Sequence, residues 1–149
     1  MAFVVDASVA LPWFLEDERT AFTDSLLDAM NRVEYWAPTV WRLEIPNALL
    51  AAERKRRIDR SRRLEALEQA SRLRIQIDRE LPDMQRISAL AERRALSTYD
   101  ASYLELAMRQ GFGLITLDKA LAHAAQAEGV PLEAPGRSGA AQGRRRYNV

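Results

Sequence analysis

The sequence predicts an α/β domain with a mainly parallel sheet. Short apolar, β-branched runs recur along the chain and alternate with stretches of helical spacing, the pattern of strands joined by helical crossovers. Two of those runs end on an aspartate, Asp6 and Asp118, as strands do when they lead into a functional crevice. The length of 149 residues suits one compact domain, which at this size buries roughly 70% of the surface its unfolded chain exposes.

Each element follows from the local pattern. Residues 2–5 are apolar and β-branched and stop at Asp6, which predicts a buried first strand. Residues 9–15 are apolar with Pro12 early among them, and residues 16–30 show helical spacing through Phe22, Leu26, Leu27 and Met30. Tyr35, Trp36 and Ala37 predict a second strand. Pro38 and Thr39 then open a helix carrying Leu43, Ala48, Leu49 and Ala52. Pro46 inside that helix lacks an N–H and clashes one turn back, so it predicts either a kink or a start later than Thr39. Residues 62–74 continue as helix, residues 74–78 alternate like a third strand, and Pro82 opens a helix ending near Leu96. Residues 97–110 form a helix closed by Gly111, and residues 113–117 a buried strand ending at Asp118. Residues 119–128 are helical, Gly129 breaks them, and residues 130–132 make a last short strand. The domain is expected over residues 1–135. Residues 136–149, rich in Gly, Ala, Ser and Gln and carrying Arg144, Arg145 and Arg146, are expected to be a disordered basic tail.

Composition narrows the chemistry. Hydrophobic residues are 48% and charged residues 29%, as in an ordinary globular chain, and no apolar run approaches the roughly 20 residues that cross a bilayer. The N-terminus has no basic segment before its apolar stretch, so a cytoplasmic location and no membrane partner are expected. With no cysteine and only His123, thiolate nucleophiles, cysteine-ligated zinc and cleavage by paired histidines are excluded within one chain. Carboxylates must carry any chemistry. Net charge is +1, yet Arg54, Lys55, Arg56, Arg57, Arg60, Arg62 and Arg63 crowd one segment, which suits either nucleic-acid phosphates or the solvated face and end of two helices. His123 reads as a surface helix residue, and Trp13, Trp36 and Trp41 as core or interface.

Asp6 and Asp118 fall at predicted strand ends, and Glu44 and Asp100 fall early in helices that reach the same end of the sheet. Four carboxylates gathered without a counter-charge repel one another, and a divalent cation with hard oxygen ligands, magnesium or manganese, relieves that. Such an ion suits phosphodiester hydrolysis. Taken singly, the acids have plainer uses. Asp6 and Asp118 suit helix N-caps, Ser97 to Asp100 suits a capping box, and Glu44 suits an exposed helix position.

The segments FVVDASVALPWFLEDE, WRLEIPNALL and LSTYDASYLELAMRQGFGLITLDKALAHAA, with Tyr99-Asp100-Ala101 and Thr116-Leu117-Asp118 in order, resemble PIN domains, in particular the VapC toxins of toxin–antitoxin pairs. The resemblance runs from about Ala2 to Pro135. It implies a three-layer sandwich, a five-stranded parallel sheet with helices on both faces, and a Mg/Mn-dependent endoribonuclease. It assigns Asp6, Glu44, Asp100 and Asp118 to the catalytic metal site, with Ser8, Asn47 and Thr116 as supporting hydrogen-bonding groups. It also implies a homodimer, an RNA substrate, to which Arg54, Lys55, Arg56 and Arg57 are expected to contribute, and a cognate antitoxin that inserts a tail into the acidic pocket. Ala120 adds no acid beyond Asp118, so a second metal would be poorly held.

Other readings fit less well. A receiver-like switch expects adjacent acids after the first strand, where Ala7 follows Asp6. A haloacid-dehalogenase-like phosphatase expects an aspartate where Ser8 stands. The remaining alternative is a catalytically silent PIN-like module that binds RNA or the antitoxin without turnover.

Overall fold

The computed structural model describes residues 1–133; the predicted tail lies outside the described residues. Five strands, β1 (Ala2–Val5), β2 (Glu34–Pro38), β3 (Ile75–Asp78), β4 (Gly113–Ile115) and β5 (Leu132–Glu133), form one parallel sheet in the order β3-β2-β1-β4-β5. Parallel strands covered on both faces read as continuous apolar runs, and Val4, Val5, Leu114 and Ile115 at the sheet centre are accordingly sealed from solvent.

The connections carry α1 (Ala7–Ala10) and α2 (Ala21–Asp28), then α3 (Trp41–Arg54) and α4 (Arg60–Arg72), then α5 (Met84–Arg94) and α6 (Thr98–Gln110), and last α7 (Lys119–Ala127). Right-handed crossovers put α1 to α4 on one face and α5 to α7 on the other, because the chain leaves β3 to return past β1 in the opposite direction. Packing agrees: α3 meets α1 and α4, whereas α6 meets α5, α7 and strands β1, β2 and β4. The expected three-layer α/β architecture is therefore present. Helix α6 buries Ala101, Tyr103, Leu104, Leu106 and Ala107, and it stops where Gly111 adopts a left-handed φ of 71°.

Several boundaries differ from the sequence reading for local reasons. The single helix expected over residues 16–30 is divided, because the Thr20 hydroxyl accepts from the Thr23 N–H and starts α2 afresh. Helix α3 begins at Trp41, later than Thr39, yet Pro46 still lies inside it, so the later start does not remove the proline from the helix interior. Helix α5 begins after Pro82, at Met84, because the Asp83 carboxylate accepts from Gln85 and Arg86. Strand β4 ends at Ile115, where Thr116 turns its hydroxyl toward Asp6. Strand β5 starts at Leu132, after Pro131, which has no N–H to donate to a ladder.

The order of strands fixes where a site can form. The chain leaves β1 toward β2 and leaves β4 toward β5, in opposite directions, while Val5 and Ile115 stand in register. A crevice opens outside the carboxyl ends of such a pair. The next residues in sequence are Asp6 and Thr116.

Candidate catalytic and metal site

Asp6 is the centre of a buried hydrogen-bond network. It continues the register of β1 by donating its N–H to the Ile115 carbonyl at 3.0 Å, and only 5% of it is exposed. Its Oδ2 accepts from the Ser8 hydroxyl at 2.6 Å and from the Thr116 hydroxyl at 2.8 Å. Those hydroxyls accept in turn from the backbone N–H groups of Leu117 and Asp118, both at 3.0 Å. The short chain from Thr116 to Asp118 is thus tied to the segment after β1 through one carboxylate oxygen. Among the described residues no protein donor reaches the other oxygen, Oδ1, and that atom is not sealed from solvent.

The four acids differ in how they are held. Asp6 occupies the N-cap position of α1 without capping it, so its side chain serves the network instead. Asp118 does cap α7, accepting from the Leu121 N–H at 3.0 Å through Oδ1. Asp100 lies in the first turn of α6, where the cap is the Ser97 hydroxyl, which accepts from the Asp100 N–H at 3.0 Å. Glu44, in the first turn of α3, is half-buried rather than an exposed helix residue, and its Oε1 accepts from the Tyr103 hydroxyl at 2.5 Å.

Electrostatics joins them. Burial pushes the Asp6 carboxyl above its ordinary value, the Ser8 and Thr116 bonds pull it back, and the charges of Asp100 and Asp118 raise it further. Burial also raises Glu44, against the Tyr103 bond, with Asp6 and Asp100 adding to the rise. Asp100 is raised by burial and then by Asp118, with Ser97 opposing. Asp6, Glu44 and Asp100 therefore each sense at least one other of the four as a like charge.

Among the described residues none of the four is in a salt bridge, although Glu53, Asp78, Glu105 and Glu128 are each paired with arginine. Glu44, Asn47, Ser97 and Asp100 line one open cavity of about 510 Å³ together with Val40, Leu43 and Tyr99. Asn47 is exposed there.

The donor set is all hard oxygen, which suits magnesium or manganese. Yet among the described residues no group of three or more acidic, histidine or cysteine side chains is drawn close enough to enclose an ion. Carboxylates that feel one another while standing apart fit a cation that keeps water in its shell and takes only one or two of them directly.

The sequence expectations fare unevenly at the other positions. The basic segment is divided. Arg57 is bound to Asp17 and Glu18, Arg62 donates to the Phe14 carbonyl, and Arg63 pairs with Glu53. Arg54, Lys55, Arg56 and Arg60 have no partner among the described residues and are exposed. His123 is an exposed residue of α7, Trp13 and Trp41 are buried, and Trp36 packs on Phe112 at 5.6 Å between ring centres. Tyr103 was not singled out by sequence, because at a buried helix position an aromatic residue reads simply as core.

The chain is matched over residues 3–127 by the family model described as PIN domain. No curated protein matches it. It is similar to the solved structure of PAE2754 from Pyrobaculum aerophilum, at 24% identity and a TM-score of 0.66, over 83% of this chain and 84% of that one. It is also similar to VapBC2 from Rickettsia felis, solved with a DNA fragment from its promoter, at 10% identity and a TM-score of 0.65, over 90% and 98%. FitAcB from Neisseria gonorrhoeae is similar at 14% identity and a TM-score of 0.63, over 91% and 99%. At these identities the likeness is one of fold.

Proposed function

The chain belongs to the PIN domain family, and from that premise we propose that it is a metal-dependent endoribonuclease, the toxin of a toxin–antitoxin pair. The observation that carries the reading is the set of four carboxylates at the switch point of the sheet. The proton affinities of Asp6, Glu44 and Asp100 are raised by burial and by other acids of the set, and none of the four is in a salt bridge among the described residues. Such a set is stabilised by a bound divalent ion and suits phosphodiester chemistry.

In this reading Asp6, Glu44, Asp100 and Asp118 hold magnesium or manganese. When bound, the ion supplies a water of lowered pKa and neutralises charge on the leaving oxygen. Ser8 and Thr116 hold Asp6 by one oxygen and leave Oδ1 for the ion or its water. Asn47, on the wall of the cavity, is a donor for a substrate oxygen. Arg54, Lys55 and Arg56, free of protein partners among the described residues, are available to RNA phosphates, whereas Arg57 is committed to Asp17 and Glu18.

The cognate antitoxin and the toxin role rest on the resemblance of the three motif segments to VapC toxins and on the likeness of fold to VapBC2. Pairing with a second copy is supported by exposed apolar side chains. Leu43 and Tyr99, 72% and 63% exposed, line one cavity with Pro82 and Ile87, and Leu81 and Met84 nearby in sequence are also open. No helix of the described residues is long and apolar enough to cross a membrane.

One observation favours the silent alternative: no three of the acids close on a single point. A single assay separates the two. Purified protein incubated with total RNA should cleave it with added manganese or magnesium, stop in excess chelator and resume on replenishment. Full activity in chelator would remove the metal from the mechanism, and absence of cleavage with either ion, beside intact RNA binding, would favour the silent module.

A further inference from the structure

A buried phenol must find a partner for its hydroxyl. Tyr103 is 0% exposed, on a face of α6 that also buries Ala101, Leu104 and Ala107, where phenylalanine would fill the same space. Its hydroxyl donates to Glu44 Oε1 at 2.5 Å. An ionised carboxylate only accepts, so the phenol is the donor of the pair.

The placement of this bond is what gives it meaning. Tyr103 lies three residues after Asp100 on the same helix, so the two share one face of α6. Glu44 lies on α3, in the opposite helical layer. One hydrogen bond therefore joins the helices that carry two of the four acids, across the carboxyl end of the sheet. It is also the one side-chain bond that Glu44 makes among the described residues, since no arginine or lysine reaches it. A glutamate has three rotatable side-chain bonds, and without a fixed partner it samples many rotamers. With Oε1 held, Oε2 accepts no side-chain hydrogen bond among the described residues, and Glu44 lines the cavity that Asp100 also lines.

We propose that Tyr103 is a positioning residue: its hydroxyl fixes the Glu44 carboxylate against α6, so that this half of the acidic site is assembled before a cation arrives. The inference rests on the functional reading above, which makes Glu44 a metal ligand, and extends it to a residue outside the motif acids. Partners that orient a ligand in this way typically change metal affinity 10- to 100-fold when removed.

The test is a cycle of full-length variants, wild type, Tyr103→Phe, Glu44→Gln and the double, each titrated with manganese by calorimetry without RNA and melted in chelator. Tyr103→Phe should bind manganese about tenfold more weakly or worse. In the Glu44→Gln background the same change should have almost no further effect, which a general loosening of the core would not produce. Wild-type affinity in Tyr103→Phe, beside weakened binding in Glu44→Gln, would overturn the positioning role and leave the metal-site reading standing. An equal loss in both backgrounds would also overturn it, because the effect would not run through Glu44. No manganese binding by the wild type would overturn both. Should Tyr103→Phe fail to fold, fluorotyrosine placed at position 103 of the otherwise unchanged chain gives a second readout. Its fluorine resonance should move on saturation with magnesium, and a resonance that stays fixed while magnesium binds would overturn the proposal.

Discussion

Asp100 separates a structural carboxylate from a metal ligand, because the helix cap does not depend on it. The Ser97 hydroxyl accepts from the Asp100 backbone N–H, a bond that survives any side chain at position 100. The carboxyl itself is raised by burial and by the charge of Asp118. A carboxyl whose pKa rises on folding favours the fold in full below its unfolded pKa, and that contribution disappears as pH climbs through the folded value. Ionised Asp100 thus works against the metal-free fold at neutral pH. Asp100→Asn should leave the metal-free protein equally or more stable at pH 7, and its advantage over wild type should shrink as pH falls into the ordinary carboxylate range. Manganese should stabilise wild type more than the variant, because ligand stabilisation grows with the ratio of free ion to its dissociation constant. Melts across a pH series, with chelator and with manganese, measure both. A variant that loses the same stability with and without metal would remove Asp100 from the site. At this scale the sequence disclosed the acids, since carboxylates at strand and helix starts leave a pattern. It did not disclose Tyr103, because its role depends on a partner 59 positions away.

At the scale of elements, alternation of short apolar runs with helical spacing located all five strands. Boundaries moved by a few residues wherever a side chain outside the pattern intervened, as Thr20 does before α2 and Asp83 before α5. The turn between α3 and α4 shows why charge counting fell short there. Seven basic residues looked alike in sequence, yet Arg57, Arg62 and Arg63 are spent on Asp17, Glu18, the Phe14 carbonyl and Glu53. Those acceptors come from elements packed nearby, which no local pattern reports. Exchanging Arg54, Lys55 and Arg56 for glutamine should therefore weaken RNA binding. It should also reduce the slope of log affinity against log salt by up to about 2, if all three meet a single strand. Arg57→Gln should leave that slope unchanged. Binding isotherms at several salt concentrations would check both, and an equal effect of Arg57→Gln would mean that its ion pairs open to receive RNA.

For the molecule as a whole, the question is which part of the chain makes the fold. Every member of the hydrophobic core among the described residues lies between Phe3 and Leu132. The sheet closes with β5, whose Leu132 is in register with Leu114 and is 4% exposed. The layers were legible in sequence because burial on both faces of a parallel sheet leaves apolar runs; the exposure of Leu43 and Tyr99 was not, since both occupy ordinary-looking helix positions. Residues 136–149 add no apolar periodicity, and they contribute arginines at 137, 144, 145 and 146. Their expected roles are thus electrostatic, and the two roles of folding and binding should separate on truncation. Deleting residues 136–149 should shift the melting temperature by no more than about a degree or two. Affinity for RNA should fall, with a shallower salt dependence, as cationic contacts are lost. Deleting from Val130 onward removes a buried strand partner of β4 and should unfold the domain or lower its melting temperature sharply. Melts of the two truncations beside the full chain distinguish the cases, and a large loss of stability on removing residues 136–149 alone would mean that the tail docks on the fold.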